Sequence, residues 1–485
     1  MSTSAEAVIV PKSKNTDIER CEQVFNLQKL NLQALKNTTA KERKAKLKKL
    51  MNVIIERKEN IQQAIYKDFR KAPSEVDILE IYPTLTEIRH TRKHLSDWMR
   101  TETVSTPMTH FGSSAEIMYE PKGRVLIISP WNYPFFLAIG PLVSAIAAGN
   151  SVIIKPSEFT PNTASEIKIL IELVFPENEV AVIEGDHEIG AELLKLPFDH
   201  IFFTGSPAVG KIVMGAAAKN LTSVTLELGG KSPVIVDESA KIKDAAQKIS
   251  WGKLINSGQT CIAPDYLLVH EKVKDELITE IIASVKDKYE RDGQDIISNG
   301  DYCRIVNRKH HQRISALIED AIEKGAKVLY GSNVEAEQNF IAPTILTDIS
   351  EDAEIMQEEI FGPVLPVFTY KNPQEAVDFI QKREKPLAFY VFSKNNKNTE
   401  FYLKNTTSGG VLVNDTILHV SHQNLPFGGV NNSGIGNAHG IFGFKAFSHE
   451  KSVMRQNTVF SLAKFMHPPY NKFTKRLIDF TLKYF

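Results

Sequence analysis

Arg124-Val125-Leu126-Ile127-Ile128-Ser129-Pro130-Trp131-Asn132-Tyr133-Pro134 is where the pattern of this 485-residue chain changes. A short β-branched run ends at Ser129, a turn bounded by two prolines follows, and an apolar stretch then runs to Gly149. That stretch is shorter than the ~20 residues that cross a bilayer. It also contains Pro134, Gly140, Pro141 and Ser144, so it reads as a buried helix. Beyond it, strands are expected at residues 152–154, 180–183, 200–203 and 234–236, with helices at 163–174 and 208–218 between them. Continuous β-branched runs alternating with helices mark buried parallel strands in βαβ units. A second alternation, with strands expected at 266–269, 328–330, 364–368, 388–392 and 410–413, makes two α/β units. Upstream the chain is helical. Thr39-Ala40-Lys41-Glu42 is a capping box, and Leu47, Leu50, Met51, Ile54 and Ile55 recur at helical spacing. Residues 1–17 are polar and expected to be loose.

Composition narrows the function. Lys+Arg and Asp+Glu balance at 58 each, so no overall field draws nucleic acid or an anionic surface. The basic run 41–49 lies on the polar face of an amphipathic helix without an aromatic platform, which is a solvated face. Three cysteines without paired spacing fit a reducing compartment. The first residues carry no basic segment followed by an apolar one, so the expectation is a cytoplasmic protein.

Between the two α/β units stands Asn256-Ser257-Gly258-Gln259-Thr260-Cys261. A cysteine is a nucleophile as thiolate, and small or polar neighbours with a close-approach glycine suit that use better than inert packing. Leu226-Glu227-Leu228-Gly229-Gly230-Lys231 sets a carboxylate among leucines, where apolar surroundings raise its pKa toward that of a general base; the alternative is a surface glutamate. Asn132 offers a fixed amide that could stabilise an oxyanion, or is simply a turn residue. Thr204-Gly205-Ser206-Pro207 ends a strand and opens a helix, a place for a pyrophosphate. It does not meet either standard nucleotide fingerprint, and a structural turn is nearly as good a reading. Lys155 and Glu158 end another strand, where ribose hydroxyls could be held.

Together with Glu358-Glu359-Ile360-Phe361-Gly362-Pro363-Val364 and Pro426-Phe427-Gly428-Gly429, these motifs stand in the order found in NAD(P)-dependent aldehyde dehydrogenases. The chain resembles that family from about Phe25 to Tyr470. Asn432-Ser433-Gly434, His439-Gly440 and Phe447-Ser448-His449 resemble its class 3 branch, which includes fatty and aromatic aldehyde dehydrogenases. The resemblance implies an α/β fold with a Rossmann-like cofactor domain (1–102 and 122–229), a catalytic α/β domain (230–432) and a small β oligomerisation arm (103–121 and 433–458). It implies Cys261 as nucleophile, Glu227 as the base for hydrolysis, and Asn132 with the Cys261 N–H as oxyanion donors. Lys155 and Glu158 would hold the adenine ribose, Gly205 and Ser206 the pyrophosphate, and Glu359 and Phe361 the nicotinamide ribose. NAD is the implied cofactor, with NADP also accepted, and a homodimer is the implied assembly. Tyr133 and His422 are expected to shape the substrate tunnel.

No metal is expected. His310 and His311 would point apart on a helix, and His419 and His422 lack an acid cluster. The tail, 459–485, ends in an amphipathic basic and aromatic segment from Phe473. It suits peripheral contact with a membrane surface, or packing over a partner subunit or the substrate mouth.

Overall fold

The computed structural model describes residues 14–459 and 467–484. The N-terminal stretch 1–13, most of the segment expected to be loose, lies outside them, and a helix spans Lys14–Lys29. The Thr39 capping box forms: Thr39 Oγ1 accepts the Glu42 N–H, and the Glu42 carboxylate accepts the Thr39 N–H. Helix Ala40–Glu56 buries Leu47, Leu50 and Ile54 against the apolar helix Phe136–Ala148 and its surroundings. Every residue of that apolar helix except Leu137 is buried, which is why its sequence shows no polar face.

The two expected α/β units are two sheets. The first runs, edge to edge, Gly434–Ile435, Ser223–Glu227, His200–Thr204, Arg124–Ile128, Ser151–Lys155 and Val180–Val182. All its neighbours are parallel except the first pair. Chain order reverses direction between Arg124–Ile128 and His200–Thr204, the point where open α/β sheets bind ligands. Register aligns the functional ends: Ile128 pairs with Phe203 and Lys155, and Thr204 with Glu227. Asn132, Lys155, Gly205 and Glu227 therefore emerge from one edge.

The second sheet runs Lys327–Tyr330, Thr344–Thr347, Val364–Tyr370, Tyr266–His270, Pro233–Val236, Ala388–Phe392 and Gly410–Val413. Cys261 lies in the loop between helix Ile242–Leu254 and strand Tyr266–His270. A third, three-stranded sheet joins Glu102–Val104, Ser113–Pro121 and Ser448–Gln456.

The stretch 433–458 is shared between the first and third sheets. Gly434–Ile435 pairs with Glu227 and Leu226 in the first sheet, and the Leu228 N–H donates to the Ser433 carbonyl. Helix Gly440–Ala446 packs on Phe136–Ala148, with Phe444 and Phe447 buried beside Trp98 and Phe202. The returning arm strand starts at Ser448 because these aromatic side chains belong to the first core. The tail forms helix Lys472–Tyr484, which leaves Phe473, Phe480, Leu482 and Tyr484 exposed. Among the described residues no helix is long and apolar enough to cross a membrane.

Candidate active site

The loop carrying Cys261 departs from ordinary backbone geometry. Asn256, Ser257 and Gly258 all have positive φ (51°, 50° and 74°). A side chain at residue 258 would collide with the Gly362 carbonyl, so glycine is required there. The loop is held by its own buried polar groups. Gln259, fully buried, donates to the carbonyls of Asn256 and Arg304 and accepts the Val306 N–H. Ser257 Oγ donates to the Cys303 carbonyl, and Tyr390 Oη donates to that of Ile262. Cys303 is thus a packed thiol in this support.

Cys261 stands half-buried between two cavities. One, of about 820 Å³, is lined by Asn132, Gly205, Ser206, Glu227, Lys231, Cys261, His310, Arg313, Glu359 and Phe361 among others. The other is narrow, about 80 Å³, and its walls include Leu79, Tyr133, Phe136, Ile417, Val420, Phe427 and His439. Leu137, Thr204, Glu227, Leu228 and Cys261 line both. The polar cavity and the apolar tunnel therefore meet at the cysteine and the glutamate.

Electrostatics distinguish the groups at this junction. Glu227 is 5% exposed, its Oε1 has no hydrogen-bond partner, and burial pushes its carboxyl up to about 8. It is not the surface residue that a strand end allows. Glu359 is likewise raised to about 8, by burial first and then by the Asp265 charge. It is presented by a buttress: Arg313 donates to the carbonyls of Glu359 and Ile360, the Ile360 N–H donates to Asp265, and Lys231 bonds Asp265 and the Glu358 carbonyl. The Cys261 thiol is held above its ordinary value by burial, then by the charges of Glu359 and Glu227. Backbone N–H groups of Cys261 and Ile262 oppose that by hydrogen bonding to the sulfur. Asn132 spends one amide hydrogen on the Gln259 carbonyl at 3.0 Å, which leaves the second to be aimed.

The remaining expected residues divide. Tyr133 lines the tunnel and its hydroxyl bonds Thr260 Oγ1 at 2.7 Å. The structure does not bring His422 to that tunnel: it is exposed after the turn Leu418–Ser421, and the histidine in the wall is His439, ring-stacked on Phe136. Nothing in local sequence marked His439 for this, since its place depends on the packing of helix Gly440–Ala446. Lys155 and Glu158 form an ion pair of 2.8 Å at the next strand end, outside the lining of the large cavity. His310 lines the large cavity and His311 turns inward to the Phe340 carbonyl. Among the described residues no group of three His, Cys, Asp or Glu could hold a metal ion.

The large cavity suits a dinucleotide on its own features. The helix Pro207–Ala218 opens into it, a side chain at residue 205 would strike the Phe203 ring, and buried Thr204 Oγ1 lacks a partner. Comparison with known proteins decides the matter: residues 3–453 match the model of the aldehyde dehydrogenase family. The chain belongs to that family.

Aldehyde dehydrogenase family 3 member A2 of Pongo abelii is 45% identical over 84% of this chain and 82% of its own. The dimeric, NADP-preferring aldehyde dehydrogenase of Mus musculus is 45% identical over 84% and 88%. The substrate-bound state of Staphylococcus aureus AldH superposes with a TM-score of 0.90, at 45% identity over 95% and 99%. The class 3 resemblance is thereby shown, and the chain is an NAD(P)-dependent enzyme that oxidises aldehydes to acids.

The raised Cys261 thiol makes a measurable statement about this aldehyde dehydrogenase without nucleotide. Alkylation of Cys261 by iodoacetamide, followed by mass spectrometry, is expected to accelerate through pH 9 without reaching a plateau. Glu359→Gln removes a neighbouring negative charge, so the thiol pKa falls and alkylation at pH 9 speeds up by roughly tenfold, one pKa unit. An unchanged rate would show that the Glu359 charge does not reach the sulfur.

Proposed function

We propose that the enzyme oxidises medium- and long-chain aliphatic aldehydes and aromatic aldehydes through an acyl group carried on Cys261. The observation behind this reading is the junction itself: an apolar tunnel and a polar cavity share Cys261 and Glu227. The tunnel would take the hydrocarbon part, leaving the carbonyl carbon at the sulfur. When bound, NAD(P) supplies the two-electron acceptor for the oxidation. The protein's own part begins when the Cys261 thiol releases its proton to water in the large cavity and Sγ bonds to the carbonyl carbon. Negative charge grows on the carbonyl oxygen, and the Cys261 N–H with the free amide hydrogen of Asn132 stabilises it. After oxidation the substrate carbon is a thioester on Sγ. Glu227 takes a proton from the attacking water, the C–S bond breaks, and the acid leaves. A carboxyl near 8 is suited to accept that proton and to return it.

In this reading Gly205 and Ser206 face the pyrophosphate, while Glu359 and Phe361 hold the nicotinamide ribose. Phe361 is edge-on to Trp131 at 5.3 Å, which fixes that wall. Lys155 and Glu158 take the adenine ribose. Glu158 disfavours a 2′-phosphate, and its ion pair with Lys155 weakens that effect, so NAD is favoured and NADP accepted.

Two measurements test the reading. With aldehydes of increasing chain length and benzaldehyde, kcat/KM for NADH formation should rise with length. A fully buried methylene contributes about 0.8 kcal/mol, roughly fourfold per carbon, and a flat or falling series would overturn the substrate class. In Glu227→Gln, a burst of one NADH per subunit should keep its wild-type rate while later turnover slows, by on the order of 100-fold. Because the base acts when ionised, wild-type hydrolysis should rise with pH to a plateau above about 8, and the variant should lose that rise. A burst as slow as steady state would remove Glu227 from the hydrolytic role.

We also propose a homodimer joined through the three-stranded sheet, as the mouse relative is dimeric. Helix Lys472–Tyr484, with exposed Phe473, Phe480, Leu482 and Tyr484 beside Lys472, Lys475, Arg476 and Lys483, would rest on a membrane surface. Flotation with anionic vesicles should be lost when residues 472–484 are deleted. If the deletion instead leaves flotation unchanged, the tail does not serve as a membrane contact.

A further inference from the structure

Beneath the active site, outside both cavities, lies an ion pair of Lys71 and Glu80 with neither side chain exposed and Nζ 2.7 Å from Oε1. Burying two charges costs desolvation that their attraction barely offsets, so such a pair is a poor source of stability by itself. Glu80 sits on a single π-helical turn, Asp77–Ile81, inserted between helices Pro73–Val76 and Tyr82–Trp98. Turns of this kind gather at functional sites.

The remaining bonds of the pair all point at the turn that carries Asn132. Lys71 Nζ donates to the Asn132 backbone carbonyl at 3.2 Å and lies 4.2 Å from the centre of the Tyr133 ring. The second oxygen of Glu80 accepts the N–H groups of Phe135 and Phe136 at 2.9 and 3.3 Å. The pair therefore grips the turn from both ends. From the other domain, Asn256 Nδ2 donates to the same Asn132 carbonyl and to the Gln259 carbonyl, both at 2.9 Å. Its own N–H is fixed by Glu75 Oε1 at 2.7 Å. The Gln259 carbonyl is also the acceptor for the Asn132 amide.

We propose that Lys71, Glu80 and Asn256 are positioning residues for the oxidation, clamping the Asn132 turn of the first sheet against the Cys261 loop of the second. None of the three lines either cavity, so they act through the geometry of Asn132. With its carbonyl held by the Lys71 ammonium and the Asn256 amide, and one amide hydrogen spent on Gln259, Asn132 has one orientation left. Its second amide hydrogen then faces the oxygen of a carbonyl bonded to Cys261. The inference rests on the reading of Asn132 and Cys261 given above.

The test is a double-mutant cycle on the NADH burst. Lys71→Met with Glu80→Gln removes both charges of the pair together, and Glu75, which loses the Lys71 charge, keeps its bond from the Asn256 N–H. That double variant should slow the burst by on the order of 100-fold, the effect of a small misplacement of a catalytic group, with KM for NAD unchanged. On an Asn132→Ala background, which has already lost the oxyanion donor, the same two substitutions should cost less than about threefold more. A merely structural role predicts the same factor on both backgrounds, and that result overturns the proposal, as does a wild-type burst in the double variant. A wild-type burst in Asn132→Ala alone overturns instead the oxyanion reading on which the clamp depends. Should the double variant not fold, Asn256→Gly keeps the left-handed backbone and removes the bridging amide, with its weak contact to the Cys303 thiol. It is expected to show the same background-dependent slowing, and equal slowing on both backgrounds overturns the proposal.

Discussion

The Cys261 loop has to pass three residues through left-handed backbone inside the protein, and much of the site follows from how that is tolerated. Two of the three, Asn256 and Ser257, are not glycine, and each such residue costs about 1 kcal/mol or more. Strain of this kind persists only where the surroundings over-determine the conformation. Here Gln259 uses its whole amide, Ser257 its hydroxyl and Asn256 both its side chain and its N–H. The segment 303–306, Gly362 and the Asn132 turn form a mould that admits one path. The cysteine is thereby delivered where two sheets meet, and its position depends on both.

That junction also explains the charge arrangement. Two carboxyls raised to about 8 beside a thiol raised by burial make a site that resists ionisation while the protein is alone. Glu227 carries a stability cost with a definite sign. Its folded pKa lies above the unfolded value near ~4.3, so the fold loses stability as pH rises from there to about 8 and no more beyond. The unpartnered oxygen is what makes the residue useful as a base, because a hydrogen-bonded carboxylate would hold its charge and bind protons weakly. Function here is purchased from the fold.

Most of the scaffold was legible in the sequence because its central strands are buried on both faces. Continuous runs such as Val234–Ile235–Val236 or Tyr266 to Val269 need no alternation to declare themselves, and the structure extends the latter only to His270. Register then aligned Asn132, Gly205 and Glu227, which no local pattern contains. Phe444 and Phe447, inside the stretch expected to form the arm, pack into the core around helix Phe136–Ala148, a partnership that no local pattern announces. Lys71, Glu75 and Glu80 were invisible as functional candidates. In sequence they are ordinary charges around short helices, and Glu80 is buried on the π turn. His422 stands close in sequence to the Pro426-Phe427-Gly428-Gly429 loop, yet it follows a short 3-10 turn and is exposed. His439, at φ 69°, is swung into the tunnel by the close packing of Gly440 against the Gln423 carbonyl.

An aldehyde oxidation that proceeds through a thioester needs contradictory surroundings at one atom. Hydrocarbon must be desolvated, while a water molecule and a charged cofactor must reach the same carbon. A single pocket could satisfy one demand only by compromising the other. Two cavities that, among the described residues, share Leu137, Thr204, Glu227, Leu228 and Cys261 in their walls separate the demands in space. Leu137 and Leu228 form the apolar part of that contact, and Glu227 the polar part. Leu137 is also the one residue of its helix not wholly buried, so the most apolar helix of the chain contributes its single half-exposed side chain to the partition between the two cavities. The hydrophobic run that first suggested a fold in the sequence is therefore also the wall against which the chemistry is arranged.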